Sequence, residues 1–442
     1  MNVKRTASYA ARAFLAPNFA TRRRLDRIRG NDRLSNTEQI RLQREKLYST
    51  LQIALRKYPF YRNISPDFSP EDAERVLRDQ FPIIDKSELL NNPSGLYPNG
   101  GRVRPWSLAG KSSGTTGTPV VVYRSLESAA MEQAFIRRHW EWSGFSGAAT
   151  RVTLRGDMIV PLEADHPPFW YWNRFDRQLI VSSRHLREPF AESIVAEIRN
   201  LQPFALQAYP STAYSLAKIL EDRDQMLAIP YLFSASEPLY GHQIDLIKRR
   251  MGSTIMDMYG MAERVAFATG CELGGMHLNT DYSFVEIVDE QGNPTTDEGF
   301  VVGTTFHNDV MPLVRYRMSD RTRLMPDECA CGRTFPLIAP VTGKYEDALF
   351  NKNGNQVSPS VLTFAFKGVE NIAKSQVAQV AEGAWQIRIV PMSGYTKSDE
   401  ERLIKNIRRL VDTAVELEVV LKESIPNTSA GKFRWVVNET SR

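Results

Sequence analysis

Lys111-Ser112-Ser113-Gly114-Thr115-Thr116-Gly117-Thr118-Pro119 stands just before the apolar run Val120-Val121-Val122-Tyr123. The stretch is made of glycine, proline, hydroxyl-bearing and cationic residues, and it reads as a loop entering a strand. Its two glycines let the backbone turn and approach a ligand closely, its hydroxyls donate to phosphate oxygens, and successive N–H groups in such turns form an anion-binding concavity. That is the chemistry of a phosphate cradle. A Ser/Thr/Gly-rich surface hairpin has the same composition, and spacing alone does not separate the two.

Downstream, two apolar runs end in small or chemically active residues. Tyr231-Leu232-Phe233-Ser234-Ala235-Ser236-Glu237-Pro238 reads as a strand leading to a ligand crevice of the kind found at the ends of α/β sheet strands. Ile255-Met256-Asp257-Met258-Tyr259-Gly260-Met261-Ala262-Glu263 delivers an aromatic ring, a permissive glycine and a carboxylate within five residues. A ring for a purine and an oxygen ligand for magnesium are what a nucleoside triphosphate requires; read alone, Glu263 is an ordinary exposed acid. In Val314-Arg315-Tyr316-Arg317-Met318-Ser319-Asp320 the closing carboxylate can accept both hydroxyls of a ribose. Helical readings at Leu126–Trp142, 194–201 and 213–220 alternate with short strands, which predicts parallel α/β layers. Phe169-Trp170-Tyr171-Trp172 either lines an aryl pocket or belongs to the core. Near the C-terminus, Trp385–Val390 reads as a strand. Ser398-Asp399-Glu400-Glu401 then reads as a capping box opening a helix whose apolar face carries Leu403, Ile404, Ile407, Leu410, Val411, Ala414 and Val415.

With 442 residues, 42% hydrophobic and 24% charged, the chain is a globular one with room for more than one domain. No uncharged apolar run approaches the ~18 residues that span a bilayer. The net charge of +5 suggests nucleic acid only until it is located. Residues 1–30 carry a net +7 and leave −2 for the remainder, so the basicity belongs to an N-terminal tail and no nucleic-acid partner is expected. Arg12, Arg22, Arg23, Arg24, Arg27 and Arg29 with Phe14, Leu15 and Phe19 suit either a solvated tail or an amphipathic contact with an anionic membrane surface. Three cysteines cannot build a disulfide framework, and with no secretory segment they point to a reducing, cytoplasmic setting. Cys271, His277, Cys329 and Cys331 together form a Cys₃His complement for zinc, structural because four protein ligands leave no position for water. Buried, metal-free thiols are the alternative.

These motifs, taken in order, resemble those of the adenylate-forming, or acyl-CoA synthetase, superfamily. The 112–119 segment is similar to its phosphate loop, Tyr259-Gly260-Met261-Ala262-Glu263 to its Tyr-Gly-x-x-Glu motif, and Tyr316-Arg317-Met318-Ser319-Asp320 to its Tyr-Arg-x-x-Asp motif. Gly343-Lys344-Tyr345-Glu346-Asp347 resembles the hinge, and Asn427-Thr428-Ser429-Ala430-Gly431-Lys432 the closing Gly-Lys motif. The segments Tyr58-Pro59-Phe60-Tyr61-Arg62, Phe81-Pro82-Ile83 and Cys329-Ala330-Cys331-Gly332-Arg333-Thr334 look like the phenylacetate-CoA ligase branch, particularly its relatives in capsule polysaccharide biosynthesis. The resemblance implies an α/β protein with a large multi-layer N-terminal α/β domain and a small mobile C-terminal α+β domain. The expected boundaries are a basic tail at 1–35, an AMP-binding domain at 36–342, a hinge at 343–347 and a lid at 348–442.

The resemblance further implies ATP-dependent activation of an aryl or acyl carboxylic acid as acyl-adenylate, then transfer to coenzyme A, with magnesium as cofactor. Ser112, Ser113, Gly114, Thr115, Thr116 and Gly117 would hold phosphates, with Ser236, Glu237, Tyr259 and Gly260 around the adenine. Asp320 would bind ribose, Glu263 magnesium, and Lys344 the hinge-side nucleotide contacts. Lys432, with Glu263 and Thr115, would serve catalysis. Four departures are noted: no lysine at Thr118-Pro119-Val120, Ala262 for a hydroxyl residue, Lys344 for arginine and Glu346 for aspartate. With no carrier domain after the closing motif, the expected acceptor is free coenzyme A or a separate partner. A ligase or adenylyl transferase acting on a polysaccharide or cofactor precursor without coenzyme A is the second reading. A non-catalytic nucleotide binder is the third, and the presence of both Glu263 and Lys432 speaks against it.

Overall fold

Ten strands form the central sheet of the computed structural model, which describes residues 19–98, 107–111, 120–154, 159–161, 164–187, 189–237, 239–341, 349–357, 362, 365–366, 369, 371–411, 414–426 and 435–440. Its middle is parallel, in the order Gln178–Val181, Arg151–Leu154, Ala205–Ala208, Tyr231–Ala235, Thr254–Gly260. Trp170–Asn173 closes one edge antiparallel, while Phe267–Gly270, Met276–Leu278, Leu337–Ile338 and Leu324–Met325 extend the other.

Alternation along the strands supplies two apolar faces. Leu206, Ala208 and Leu232 pack with Ile194, Ile198, Leu216, Leu220 and Ile247 of the helices Ala191–Leu201, Pro210–Asp222 and Gly241–Met251. Ala205, Phe233 and Met256 cluster instead with Trp140 of the helix Leu126–Trp142 and with Phe145. There Trp140 stacks on Phe233 with ring centroids 5.2 Å apart. A helix on each face is the layered α/β arrangement that the strand–helix alternation predicts. The aromatic run belongs to the core: Phe169 is fully buried and stacks on His185 at 4.8 Å, while Trp170 and Trp172 lie against the same cluster.

A three-stranded antiparallel sheet, Ser283–Val288, Gly299–Thr305 and Tyr316–Thr322, packs with the helix Asn36–Lys57 through Leu47, Leu51, Phe284, Leu313 and Val314. Tyr58, Tyr61 and Phe81 are buried in that same cluster, so the Tyr-Pro-Phe-Tyr and Phe-Pro turns are core features. Arg315, in the left-handed region at φ 47°, makes a buried bidentate pair with Glu286 at 3.0 and 3.1 Å and donates to the carbonyl of Phe81 at 2.9 Å.

The C-terminal unit is a four-stranded sheet. The hairpin Ile372–Ala381 and Ala384–Pro391 is flanked by parallel Val436–Asn438 and Glu416–Leu421. Leu403, Ile407 and Leu410 of the helix Lys397–Leu410 cover Val377, Trp385, Ile387 and Ile389. The cap lies two residues earlier than the sequence suggests: Thr396 Oγ1 accepts from Asp399 N–H, and Asp399 Oδ2 accepts from Thr396 N–H at 3.0 Å. Aspartate at the third position serves here where the usual pattern has glutamate. The expected hinge, 343–347, lies outside the described residues.

One boundary is corrected. Residues 19–35 are no solvated tail, because Phe19–Ile28 is a helix whose Leu25 and Ile28 are buried against Met131, Ala134 and Phe135. Arginines in and just after it find acids a hundred residues away: Arg24 pairs with Glu127, and Arg29 with Glu141 at 2.7 Å. The Ile28 carbonyl accepts from Arg138, which is itself bidentate to buried Asp281 at 2.6 and 2.9 Å. The apolar side of this helix is thus spent internally rather than offered to a membrane, and no helix among the described residues is long and apolar enough to cross one. Ile28→Ala is expected to lower stability by about 2–4 kcal/mol in denaturant unfolding, the loss typical of a truncated buried side chain. An unchanged midpoint would restore the tail reading.

Candidate active site

The two strands singled out in the sequence end side by side. Tyr231–Ala235 and Thr254–Gly260 are parallel neighbours, and beyond their carboxyl ends opens a cleft of about 2270 Å³ lined by Ser236, Glu237, Tyr259, Gly260, Glu263 and Asp320, among others. This is where an open α/β sheet presents a ligand site. The cleft therefore brings together every expected site residue of this group that the structure describes. Ser112, Ser113, Gly114, Thr115, Thr116 and Gly117 lie outside the described residues, as do Lys344 and Lys432. Both ends of the phosphate-loop segment are nevertheless placed. Leu108–Lys111 and Val121–Arg124 form an antiparallel pair with Lys111 opposite Val121, and Val120 and Val122 are buried.

Each corner of the cleft is held by a local device. Ser236 sits in the left-handed region at φ 72°, a conformation costly for a residue with a Cβ and typical of over-determined functional turns. The next residue, Glu237, accepts from the amide of Ser211 at 3.0 Å, at the start of the helix Pro210–Asp222, where a carboxylate meets unpaired N–H groups and the positive end of the helix dipole. Gly260 pairs with Phe267, and a Cβ there would meet the Phe267 ring at 3.3 Å.

Tyr259 and Asp320 come from different sheets and meet: the phenol donates to the Asp320 carboxylate at 2.8 Å. Burial, followed by the charge of Asp320, raises the Tyr259 pKa well above the ordinary phenol value, so the hydroxyl remains a donor. Glu263 is buried. It is followed by Arg264 at φ 58°, whose guanidinium donates to Ser128 O and Oγ at 2.8 and 2.9 Å and lies 3.5 Å from Glu132. Glu132 in turn accepts from Tyr282 at 2.5 Å. This anchoring fixes the turn that carries Glu263, and sequence reading missed it because Ser128 and Glu132 lie more than 130 residues away. Asp257 was also missed. It lines the cleft, accepts from Ser234 Oγ at 2.6 Å, and burial raises its pKa; an acid inside the apolar strand Ile-Met-Asp-Met-Tyr was the available signal.

The four metal-ligand candidates converge. Cys271 and His277 belong to the hairpin of Phe267–Gly270 and Met276–Leu278, while Cys329 and Cys331 sit on the loop between Leu324–Met325 and Leu337–Ile338. Their ligand atoms all lie within 4.8 Å of one another, with Cys271 Sγ 3.6 Å from Cys329 Sγ and Cys331 Sγ 3.3 Å from His277 Nε2. Sulfurs at that separation are not a disulfide. With Zn–S near ~2.3 Å, tetrahedral ligand edges fall at roughly this length. His277 Nδ1 donates to the Phe335 carbonyl at 3.1 Å, which leaves Nε2 as the lone-pair nitrogen facing the thiols. A Cβ on Gly275 would come within 3.0 Å of Cys329 Sγ, so glycine keeps this space open. The hairpin residues from Cys271 to Met276 also wall the large cleft.

Comparison with known proteins follows the same lines. The chain is 24% identical to protein CapK of Staphylococcus aureus, covering 81% of this chain and 80% of that protein. It is 23% identical to the phenylacetate-coenzyme A ligase of Thermus thermophilus, covering 90% and 96% of the two chains. The Escherichia coli enzyme of that name is 26% identical, over 88% and 92%. The chain is thus similar over most of its length to CapK and to phenylacetate-coenzyme A ligases. Within the chain, residues 349–439 match the family described as the CapK C-terminal domain. Its fold is that of solved superfamily structures. The 2-hydroxyisobutyryl-CoA ligase in a postadenylation state with R3-HIB-AMP superposes with a TM-score of 0.58 at 20% identity, covering 92% and 91% of the chains. The same ligase with 2-HIB-AMP and CoA in a thioesterification state gives 0.56 at 18% identity, with the same coverage.

Proposed function

We propose that the protein activates a carboxylic acid with ATP and passes the acyl group to coenzyme A. The observation that carries this reading is the convergence of Tyr259, Glu263 and Asp320 at one cleft beyond the parallel strands, in a chain whose relatives include coenzyme A ligases. In the first half-reaction a carboxylate oxygen bonds to the α-phosphorus of ATP and pyrophosphate leaves. In the second, the thiol sulfur bonds to the acyl carbon, AMP leaves with the electron pair of the broken C–O bond, and the thiol proton is released.

The chain's own residues position and neutralise rather than react covalently. Asp320, held by Tyr259, would take the ribose hydroxyls, with Tyr259 and Gly260 shaping the purine side and Ser236 and Glu237 the opposite wall. Thr115, Thr116 and Gly117, with Ser112, Ser113 and Gly114, would cradle phosphates. Glu263 would offer a carboxylate to magnesium, whose charge would offset that of the phosphates. Lys344 and Lys432 belong to the hinge and lid, and 348–442 would turn about 343–347 between the two half-reactions. Cys271, His277, Cys329 and Cys331 would hold one zinc in a closed, structural site that pins the wall of the cleft. Reduced thiols and the use of ATP and coenzyme A suit a cytoplasmic enzyme.

ATP–pyrophosphate exchange over a panel of aryl and acyl acids, followed by thioester formation with coenzyme A, tests the reading. Acid-dependent exchange is expected, and its absence over the whole panel would contradict the proposal. The second reading is an adenylate-forming ligase or adenylyl transferase that acts on a polysaccharide or cofactor precursor without coenzyme A. Exchange without any thioester product would select it.

Tyr259→Phe removes the hydroxyl that orients Asp320 and leaves the ring. A lost hydrogen bond to a charged group is expected to raise the KM for ATP about 10-fold with a smaller change in kcat. An unaltered KM would separate the pair from ribose binding.

A further inference from the structure

The phosphate-loop segment holds no cation between Ser112 and Val120, yet the strand that leaves it ends in an arginine with unusual surroundings. Arg124 lies opposite Leu108 in the Leu108–Lys111 and Val121–Arg124 pair, and its side chain leans diagonally back over Gly110, toward the loop end of the hairpin. The guanidinium fills the space above that glycine: a Cβ on Gly110 would fall 1.6 Å from one terminal nitrogen and 2.3 Å from Cζ. Glycine at 110 is thus what lets the side chain lie there.

Arg124 Nε is buried and has no hydrogen-bond partner among the described residues. The charged and titratable groups around it are Arg264, Glu132, Tyr282 and Glu263. Glu132 is engaged by Tyr282 and Arg264, and Arg264 by Ser128. Burying an N–H donor without a partner is costly, and the cost is recovered when an anion arrives. An anion received there would lie beside Glu132 and Glu263, which line the cleft, Glu263 being the acid read as the magnesium ligand. A phosphate chain suits this best, because the planar fork of arginine matches phosphate oxygens two at a time.

We propose that Arg124 receives the pyrophosphate portion of ATP, the β- and γ-phosphates, and so supplies from the exit strand a cation where residues 112–119 have none. The proposal rests on the adenylation reading and deepens it by naming the residue that takes the leaving group.

Isothermal titration calorimetry of the full-length protein with ATP, AMP and inorganic pyrophosphate, each with magnesium, tests it without any acid substrate. Arg124→Gln is expected to weaken ATP and pyrophosphate about 10- to 100-fold, the loss for one to two charge-assisted hydrogen bonds, while AMP stays within about twofold. Arg124→Lys, which keeps the charge but loses the fork, should fall between. Gly110→Ala, which removes the room without removing the charge, should reproduce the same selective loss. Equal weakening of ATP and AMP in Arg124→Gln and Gly110→Ala would make Arg124 a packing or charge-balancing residue and overturn the proposal, as would unchanged affinity for all three ligands. Wild-type protein that binds no ATP would overturn the adenylation reading as well.

Discussion

Lys432→Ala is expected to slow adenylate formation by ~10²–10³, while thioester formation from a supplied acyl-adenylate proceeds nearly as in the wild type. The size follows from the charge involved. A cation that meets negative charge developing on the transferring carboxylate and phosphate stabilises the transition state by roughly 2.7–4 kcal/mol, on the scale of one lost oxyanion-hole donor. The selectivity follows from the hinge. Lys432 follows the strand Glu416–Leu421 and precedes Val436–Asn438 in the chain, and the proposed lid, turning between half-reactions, would present it to the nucleotide only in the first. Rapid-quench measurement of each half-reaction separates the two steps. Equal losses in both would mean a folding defect or a lid that does not alternate. No loss in either would make Lys432 a solvated turn residue.

The second large effect concerns the Cys₃His cluster. Purified protein is expected to contain about one zinc per chain, and Cys331→Ser to contain none. Apparent free energies for structural zinc reach roughly 10–16 kcal/mol in small peptides. Here the sheet already places much of the hairpin and loop, so a smaller share should appear as stability, a fall in Tm on the order of 5–10 °C. Hydrogen exchange should rise first in residues 271–278 and 326–336, which the metal would tie together. Adenylation should fall less than stability, because four protein ligands leave the ion no open position for chemistry. Metal-free protein with wild-type melting would show that the thiols are merely buried.

What could be read in the sequence was what local chemistry encodes. The strands Tyr231–Ala235 and Thr254–Gly260 were visible as apolar runs ending in small or chemically active residues, and the helix Leu126–Trp142 was bounded where it was expected. Cys271, His277, Cys329 and Cys331 could be grouped because thiols and imidazoles in an otherwise cysteine-poor chain have few joint roles. Pairings made across the chain were invisible. Arg24 and Arg29 looked unbalanced because their partners are Glu127 and Glu141 on another helix. Tyr259 was read as a ring, whereas its hydroxyl reaches an aspartate 61 residues on. Arg264 and Arg315 gave no sign of their left-handed backbone, since only tertiary anchors such as Ser128 and Glu286 hold them there. Such contacts are set by how sheets and helices pack, and no window of neighbouring residues contains them.

Acid adenylation is tested most directly by following an oxygen atom. With the acid substrate labelled by ¹⁸O in both carboxylate positions, the carboxylate oxygen that bonds to the α-phosphorus should remain there when the acyl group departs, so each AMP released should carry one ¹⁸O. Label recovered in inorganic phosphate, or AMP formed without label, would contradict attack of the carboxylate on the α-phosphate and with it the function proposed for this cleft.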